Sequence, residues 1–213
     1  MPTTSDMIEQ LVADAAPVRR AASPLVRAAV WLALAVLVVA GLATLHGPRG
    51  DLAARLGDAA FCVSFAAAVL TGVLSAVAAM FVSLPDRSRW WLLLPLPAAV
   101  AWGAGIGAGC LAHWVPFDPS GVQWAELLRC ATTLLASSIP LSAAMFWLLR
   151  HTARLGALPS LLAGALAVAA LTAAALSLLH EFDASLMILA WNFGAALIVL
   201  LIDAAIGRRI LRS

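Results

Sequence analysis

Three cysteines and four histidines are the side chains of this sequence best suited to soft-metal or redox chemistry. Thiolate and imidazole are the ligands that soft and borderline metals prefer, and thiols in an oxidising compartment can pair. An odd number of cysteines leaves at least one thiol outside any disulfide framework. Cys62, Cys110 and Cys130 lie far apart with no CxxC spacing, and His46, His113 and His180 are as widely scattered. Any joint site must therefore be assembled by the fold. Each residue type also has an ordinary use: buried Cys packs as a small hydrophobe, and a His at a helix end caps carbonyls. Catalytic patterns are missing, with no Ser-His-Asp arrangement, HExxH run or Walker loop in the sequence. The chain is expected not to be an enzyme and to require no cofactor, a transiently bound metal ion at the periplasmic side being compatible with the Cys and His set.

The elements that must position these residues are transmembrane helices. Hydrophobic residues make up 63% of the chain and charged residues 11%, and mean hydropathy is +0.99. Soluble chains carry roughly 45–50% and 25%. A span needs about 20 mostly apolar residues, and six stretches qualify: 27–46, 59–84, 90–113, 126–149, 158–180 and 184–206. In lipid each must be helical, because every backbone group has to be satisfied within its own segment. The expected fold is all-α: a six-helix transmembrane bundle (27–213, with a short C-terminal tail) preceded by a short N-terminal amphipathic helix within 1–26. A small-residue site at Gly41-Leu-Ala43 resembles a signal cleavage site, but the long apolar run and the acidic stretch before it favour an uncleaved first helix.

Arginine, the sole basic side chain besides His, sets the expected orientation. With the N-terminus inside, Arg19, Arg20, Arg27, Arg87, Arg89, Arg150, Arg154, Arg208, Arg209 and Arg212 are inner, and Arg49, Arg55 and Arg129 are outer. That asymmetry follows the positive-inside rule and puts both termini in the cytoplasm of a bacterial inner membrane. Trp31, Trp90, Trp91 and Trp147 then fall near the inner interface, and Trp114 and Trp124 near the outer one, with Trp102 and Trp191 deeper. Cys62, Cys110, Cys130, His46, His113 and His180 all come to the outer end. The net charge of +2 is too small and dispersed for direct nucleic-acid binding. Mid-membrane polarity is limited to Ser, Thr and Asn, including Thr71, Ser75, Thr133, Ser137, Ser142 and Asn192, residues that bond to neighbouring helices or to their own backbone. A small transporter or channel for a metal ion or small solute stays open as an alternative, disfavoured by this scarcity of ionisable groups. Gly103/Gly107 and Gly105/Gly109 form two overlapping small-residue pairs suited to close helix approach.

Residues 1–26 are the one sizeable segment expected at the cytoplasmic surface. Asp6-x-x-Glu9 resembles a capping pair, and Met7, Ile8, Leu11, Val12 and Ala15 share a helical face. The opposite face is acidic, whereas helices that lie on lipid usually present a basic one. The segment therefore suits a protein partner. Pro17 ends or bends this helix, and Arg19 and Arg20 mark the membrane surface.

Several stretches resemble the six-span membrane anti-sigma factors typified by the negative regulator of sigma F. They are Ile8-Glu-Gln-Leu-Val-Ala-Asp14, Pro17-Val-Arg-Arg20, Asp51-Leu-Ala-Ala-Arg55, Ser83-Leu-Pro85, Trp90-Trp-Leu-Leu-Leu-Pro95 and Gly207-Arg-Arg209. The resemblance implies a protein that holds an extracytoplasmic-function sigma factor at the membrane and releases it on a periplasmic stress, heavy metals being one example. It implies docking through Ile8, Leu11 and Val12, with Asp14, Arg19 and Arg20 as polar contacts. Such proteins carry one cysteine at the start of the fourth span and another after a His at the end of the fifth. Cys130 matches the first position, but Glu181 follows His180 at the second. Sensing through Cys130 with Cys62 or Cys110, sensing through His180, Glu181 and His113, and a different signal all stay open.

Overall fold

The computed structural model describes residues 4–13, 22–112, 124–150 and 157–179, with Ile198 and Leu201. Among these residues the structure is all helical, without a strand. The first helix, α1, runs Thr4–Ala13. Asp6 thus lies within the helix and not ahead of it. Ile8, Leu11 and Val12 are in α1, but their side chains lie outside the described set, as do Asp14, Arg19 and Arg20 entirely.

Ser23 starts α2 (Pro24–His46): its Oγ accepts from the Val26 amide, and Pro24 occupies the first turn. There the missing N–H of proline costs no helical bond. The helix stops at Gly47, the one described residue with a left-handed φ (75°), whose amide returns to Ala43 O at 3.0 Å. A short helix in the following loop, α3 (Leu52–Leu56), had no counterpart in the sequence reading. Asp58 then caps α4 (Ala59–Val82) by accepting from the Ala60 amide at 3.0 Å.

The third apolar stretch is not one continuous helix. A 3-10 turn at Arg89–Leu93 precedes α5 (Leu96–Ala112), with Pro95 and Pro97 at the join. Neither proline can donate the amide that a continuous α-helix would require there. Two long helices complete the described chain, α6 (Trp124–Leu149) and α7 (Ala157–Leu179). Five described stretches are long and apolar enough to cross a membrane: Pro24–His46, Ala59–Val82, Arg89–Gly107, Ala131–Leu149 and Leu158–Leu179. The expected sixth span, 184–206, falls outside the described residues apart from Ile198 and Leu201, both exposed.

Helices α2, α4, α7 and α6 pack in that order around a closed ring, and α5 lies outside it against α4. The α4–α7 interface is the most extensive, and its closeness depends on glycine. A Cβ on Gly72 would stand 2.6 Å from Leu171 Cγ, and one on Gly164 of α7 would stand 2.9 Å from Met145 Cγ of α6. Of the glycine pairs in α5, Gly105 meets Ser64 of α4 in this way, whereas Gly103 and Gly107 have nothing within 4 Å. One of the two expected small-residue faces is therefore used at Gly105, and the Gly103/Gly107 face packs against no described residue.

Trp31, expected near the inner interface, is fully buried in the ring with Met80, Leu141 and Leu149, and its indole N–H donates to Leu141 O at 3.0 Å. A buried indole needs such an acceptor. Trp90 and Trp147 are exposed as an interfacial belt requires, and Trp91 stacks on Phe81 with centroids 4.2 Å apart. Among the buried hydroxyls, Thr71 donates to Ala67 O and Ser137 to Thr133 O and Leu134 O within their own helices, whereas those of Ser75, Ser142, Ser160 and Thr172 bond to nothing described.

Candidate functional site

Contacts along the helices show which termini share an end. Gly164 against Met145 and Leu149, Gly105 against Ser64, Arg27 against Leu148, and Arg49 against both Leu178 and Phe61 run the neighbouring pairs antiparallel. The C-termini of α2, α5 and α7 and the N-termini of α4 and α6 consequently meet at one end. His46 closes α2, Cys62 opens α4, Cys110 lies near the end of α5 and Cys130 is in the second turn of α6. His113, His180 and Glu181 lie outside the described residues, and the side chains of Cys110 and Cys130 do also. Cys62 is a half-buried free thiol donating to Leu56 O at 3.3 Å, and His46 Nδ1 lies 3.3 Å from Leu42 O. Among the described residues, no three His, Cys, Asp or Glu side chains are grouped to hold a metal.

What the described structure does build at this end is an arginine seat. Gly47 and Pro48 turn the chain so that Arg49 points back into the bundle, its side chain only 2% exposed. Its Nε reaches Asp51 Oδ1 at 2.5 Å and its Nη2 reaches Oδ2 at 2.9 Å, a two-point pairing that matches the planar guanidinium to the carboxylate. The remaining nitrogen, Nη1, donates to Ser177 O at 3.2 Å, and the Arg49 amide donates to Leu178 O at 3.0 Å. Both acceptors belong to the last turn of α7, whose carbonyls lack helical donors and carry the negative end of the dipole. Phe61 of α4 lies beneath the guanidinium, 6.0 Å away. Arg55 adds a second contact to Asp51 at 3.3 Å. Hydrogen bonding from Arg49 is the main reason the Asp51 carboxyl is held down at about 2, against partial desolvation and with further help from Arg55.

A second buried arginine occupies the opposite end. Arg27, 7% exposed in the first turn of α2, donates to Leu148 O in the last turn of α6 and to Ser83 Oγ, 3.4 Å away at the end of α4. Ser83 itself donates to Met80 O at 2.8 Å. Arg27 thereby joins three helices of the ring, again by satisfying a helix C-terminus with a cation.

Neither arginine was identified as a binding residue from sequence; both were counted as topology charges. The local signal for Arg49 was its place between a Gly-Pro turn and Asp51. For Arg27 it was a lone charge within an apolar run. In α1, Met7 is exposed at 53%.

The family described as NrsF, negative regulator of sigma F, matches residues 11–212. No curated protein and no solved structure matches the chain.

Proposed function

Because the chain belongs to the NrsF family of negative regulators of sigma F, we propose that it is a membrane-anchored anti-sigma factor. It sequesters an extracytoplasmic-function sigma factor at the inner membrane and lets it go on a periplasmic stress such as a metal or an oxidant. Segment 1–26 docks the sigma factor through Ile8, Leu11 and Val12, with Asp14, Arg19 and Arg20 as polar contacts. Residues 27–213 form the anchor, with 184–206 as its sixth span and both termini cytoplasmic, as the arginine asymmetry requires. In that orientation the Arg49 end is periplasmic. Sensing falls to Cys130 with Cys110, Cys62, His113, His180 or Glu181, and any metal bound there is a signal and not a resident cofactor.

The observation that carries this reading is the extent of the match. It takes in the docking segment from Leu11 onward as well as every described span. Affinity capture with the full-length, detergent-solubilised protein tests it, with mass spectrometry of the bound fraction. Wild type should recover a sigma factor, and so should Cys130→Ser. Leu11→Asp should not, although it still reaches the membrane, because losing a central apolar anchor costs about 2 kcal/mol or more, roughly 30-fold in affinity. Equal recovery by Leu11→Asp would remove α1 as the docking element. If wild type recovers no sigma factor, the function itself is wrong.

A further inference from the structure

Helix α2 is held at both of its ends by the same device. At one end Arg27 donates to the last turn of α6 and to Ser83. At the other, Arg49 sits just past the helix and donates through side chain and amide to the last turn of α7. Between them lie the 23 residues of α2, about 35 Å of stiff rod at 1.5 Å per residue. The docking segment is the direct covalent extension of the first end. The second end is built from the loop at Arg49–Asp51, the start of α4 through Phe61, and the end of α7, one residue short of His180.

We infer that Arg49 is a positioning residue for sigma binding: its seating on Ser177 and Leu178 holds α2 in the placement that presents segment 1–26. The inference rests on the anti-sigma reading and adds to it a route between the two membrane faces. Two features of the geometry support the assignment. The guanidinium is withdrawn from water yet has two carboxylate oxygens and a carbonyl as acceptors, so its position is tightly specified. Its contacts reach two helices that are not its neighbours in sequence, so displacement of the α7 end displaces the α2 end with it. Packed helices move in discrete small steps, shifts of about 1–2 Å being typical at such interfaces. An unseated Arg49 would leave the polar ties of α2 at Arg27 and Trp31, both in its first half, next to the docking segment.

Linkage makes this testable without knowing the inducing signal. If the seated form binds sigma more tightly by some factor, sigma binding must favour the seated form by the same factor. The Arg49 amide reports the seat, because its acceptor is Leu178 O across the bundle. The experiment measures hydrogen exchange of the full-length protein in nanodiscs, with and without the sigma factor recovered by capture. Saturating sigma on the cytoplasmic side should slow exchange at Arg49 by about 5-fold or more, within the usual range of couplings between sites. Sigma added to Leu11→Asp should leave it unchanged. Arg49→Gln should weaken sigma binding by the factor measured in exchange, and Arg49→Lys, which keeps a cation over Phe61, should fall between. Unaltered exchange at Arg49 in a wild-type complex that demonstrably forms would overturn the inference and leave the anti-sigma function standing. Should Arg49→Gln fail to reach the membrane, the wild-type exchange measurement still decides.

Discussion

Gly72→Ala adds a single methyl group at the tightest contact described in the bundle. The new Cβ would lie 2.6 Å from Leu171 Cγ and 2.7 Å from Cδ2, with Ala167 O at 3.4 Å. Leu171 is packed against the buried core, so it can move only by disturbing Ala167 and Val168 beside it or by driving α4 and α7 apart. Overpacking of this kind costs about 1–3 kcal/mol. Replacing a helical glycine by alanine also brings a gain of about 0.5–1 kcal/mol from propensity. The net effect is therefore about 0–2 kcal/mol destabilising, which alone would be hard to interpret. Gly41→Ala in α2 supplies the comparison, since nothing lies within 4 Å of its added methyl. Propensity cancels between the two variants, and the remaining gap of about 1–3 kcal/mol is the steric cost at Gly72. Reversible unfolding in mixed dodecylmaltoside–dodecyl sulfate micelles, followed by the fluorescence of the eight tryptophans, measures both. Adding Leu171→Ala to Gly72→Ala should recover about 1–3 kcal/mol relative to additivity, as expected of residues in direct contact. Equal stability of Gly72→Ala and Gly41→Ala would refute the close α4–α7 packing.

Two further outcomes are expected from the same assay. Trp31→Phe removes the indole donor to Leu141 O and leaves a small void in the ring, and it should cost about 1–3 kcal/mol. For Asp51 the folded pKa, about 2, lies below the ordinary carboxylate value of 3.8, so its stabilising contribution is complete above about pH 4 and is lost as pH falls through about 2. The difference in stability between wild type and Asp51→Asn should accordingly be constant from pH 7 down to about pH 4 and shrink below it; a difference that grows on acidification would contradict the Arg49–Asp51 pairing.

The apolar elements were legible in the sequence because length and composition alone define them. Five of the expected stretches coincide with described helices to within a few residues, and Ser23 and Asp58 cap where short polar residues precede apolar runs. The break in the third stretch was legible from Pro95 and Pro97, whose missing amides suggest a kink there, although hydropathy averages over them. The bonding roles of Arg27 and Arg49, by contrast, were missed. A positive-inside count treats each arginine as a solvated charge, yet Arg27 and Arg49 are buried on backbone carbonyls 121 and 128 residues away. Carbonyl acceptors have no side-chain signature, so no pattern of residue types could reveal them. Glycine was legible only in part: of the repeated glycines in α5, Gly105 makes a close contact, while the isolated Gly72 and Gly164, which form no motif, make theirs because of what lies opposite. Of the candidate sensing residues, Cys62 alone has a described side chain, and the fold brings the backbone of Cys110 and Cys130 to its end of the bundle.

The order of helices around the ring has a consequence for biosynthesis. Helices α2 and α4 leave the ribosome early, but the helix that fills the Gly72 face of α4 is α7, the last one described. At ~5–20 residues per second, the stretch from Val82 to Leu179 takes roughly 5–20 s to translate. Throughout that interval the small-residue face of α4 is in the membrane without its permanent neighbour, and Arg49 has Asp51 but no carbonyls of α7 to receive it. A nascent chain can thus fix its orientation before it can close its core. Chains truncated ahead of α7 should be recognised by membrane proteases as unassembled, however many complete spans they contain.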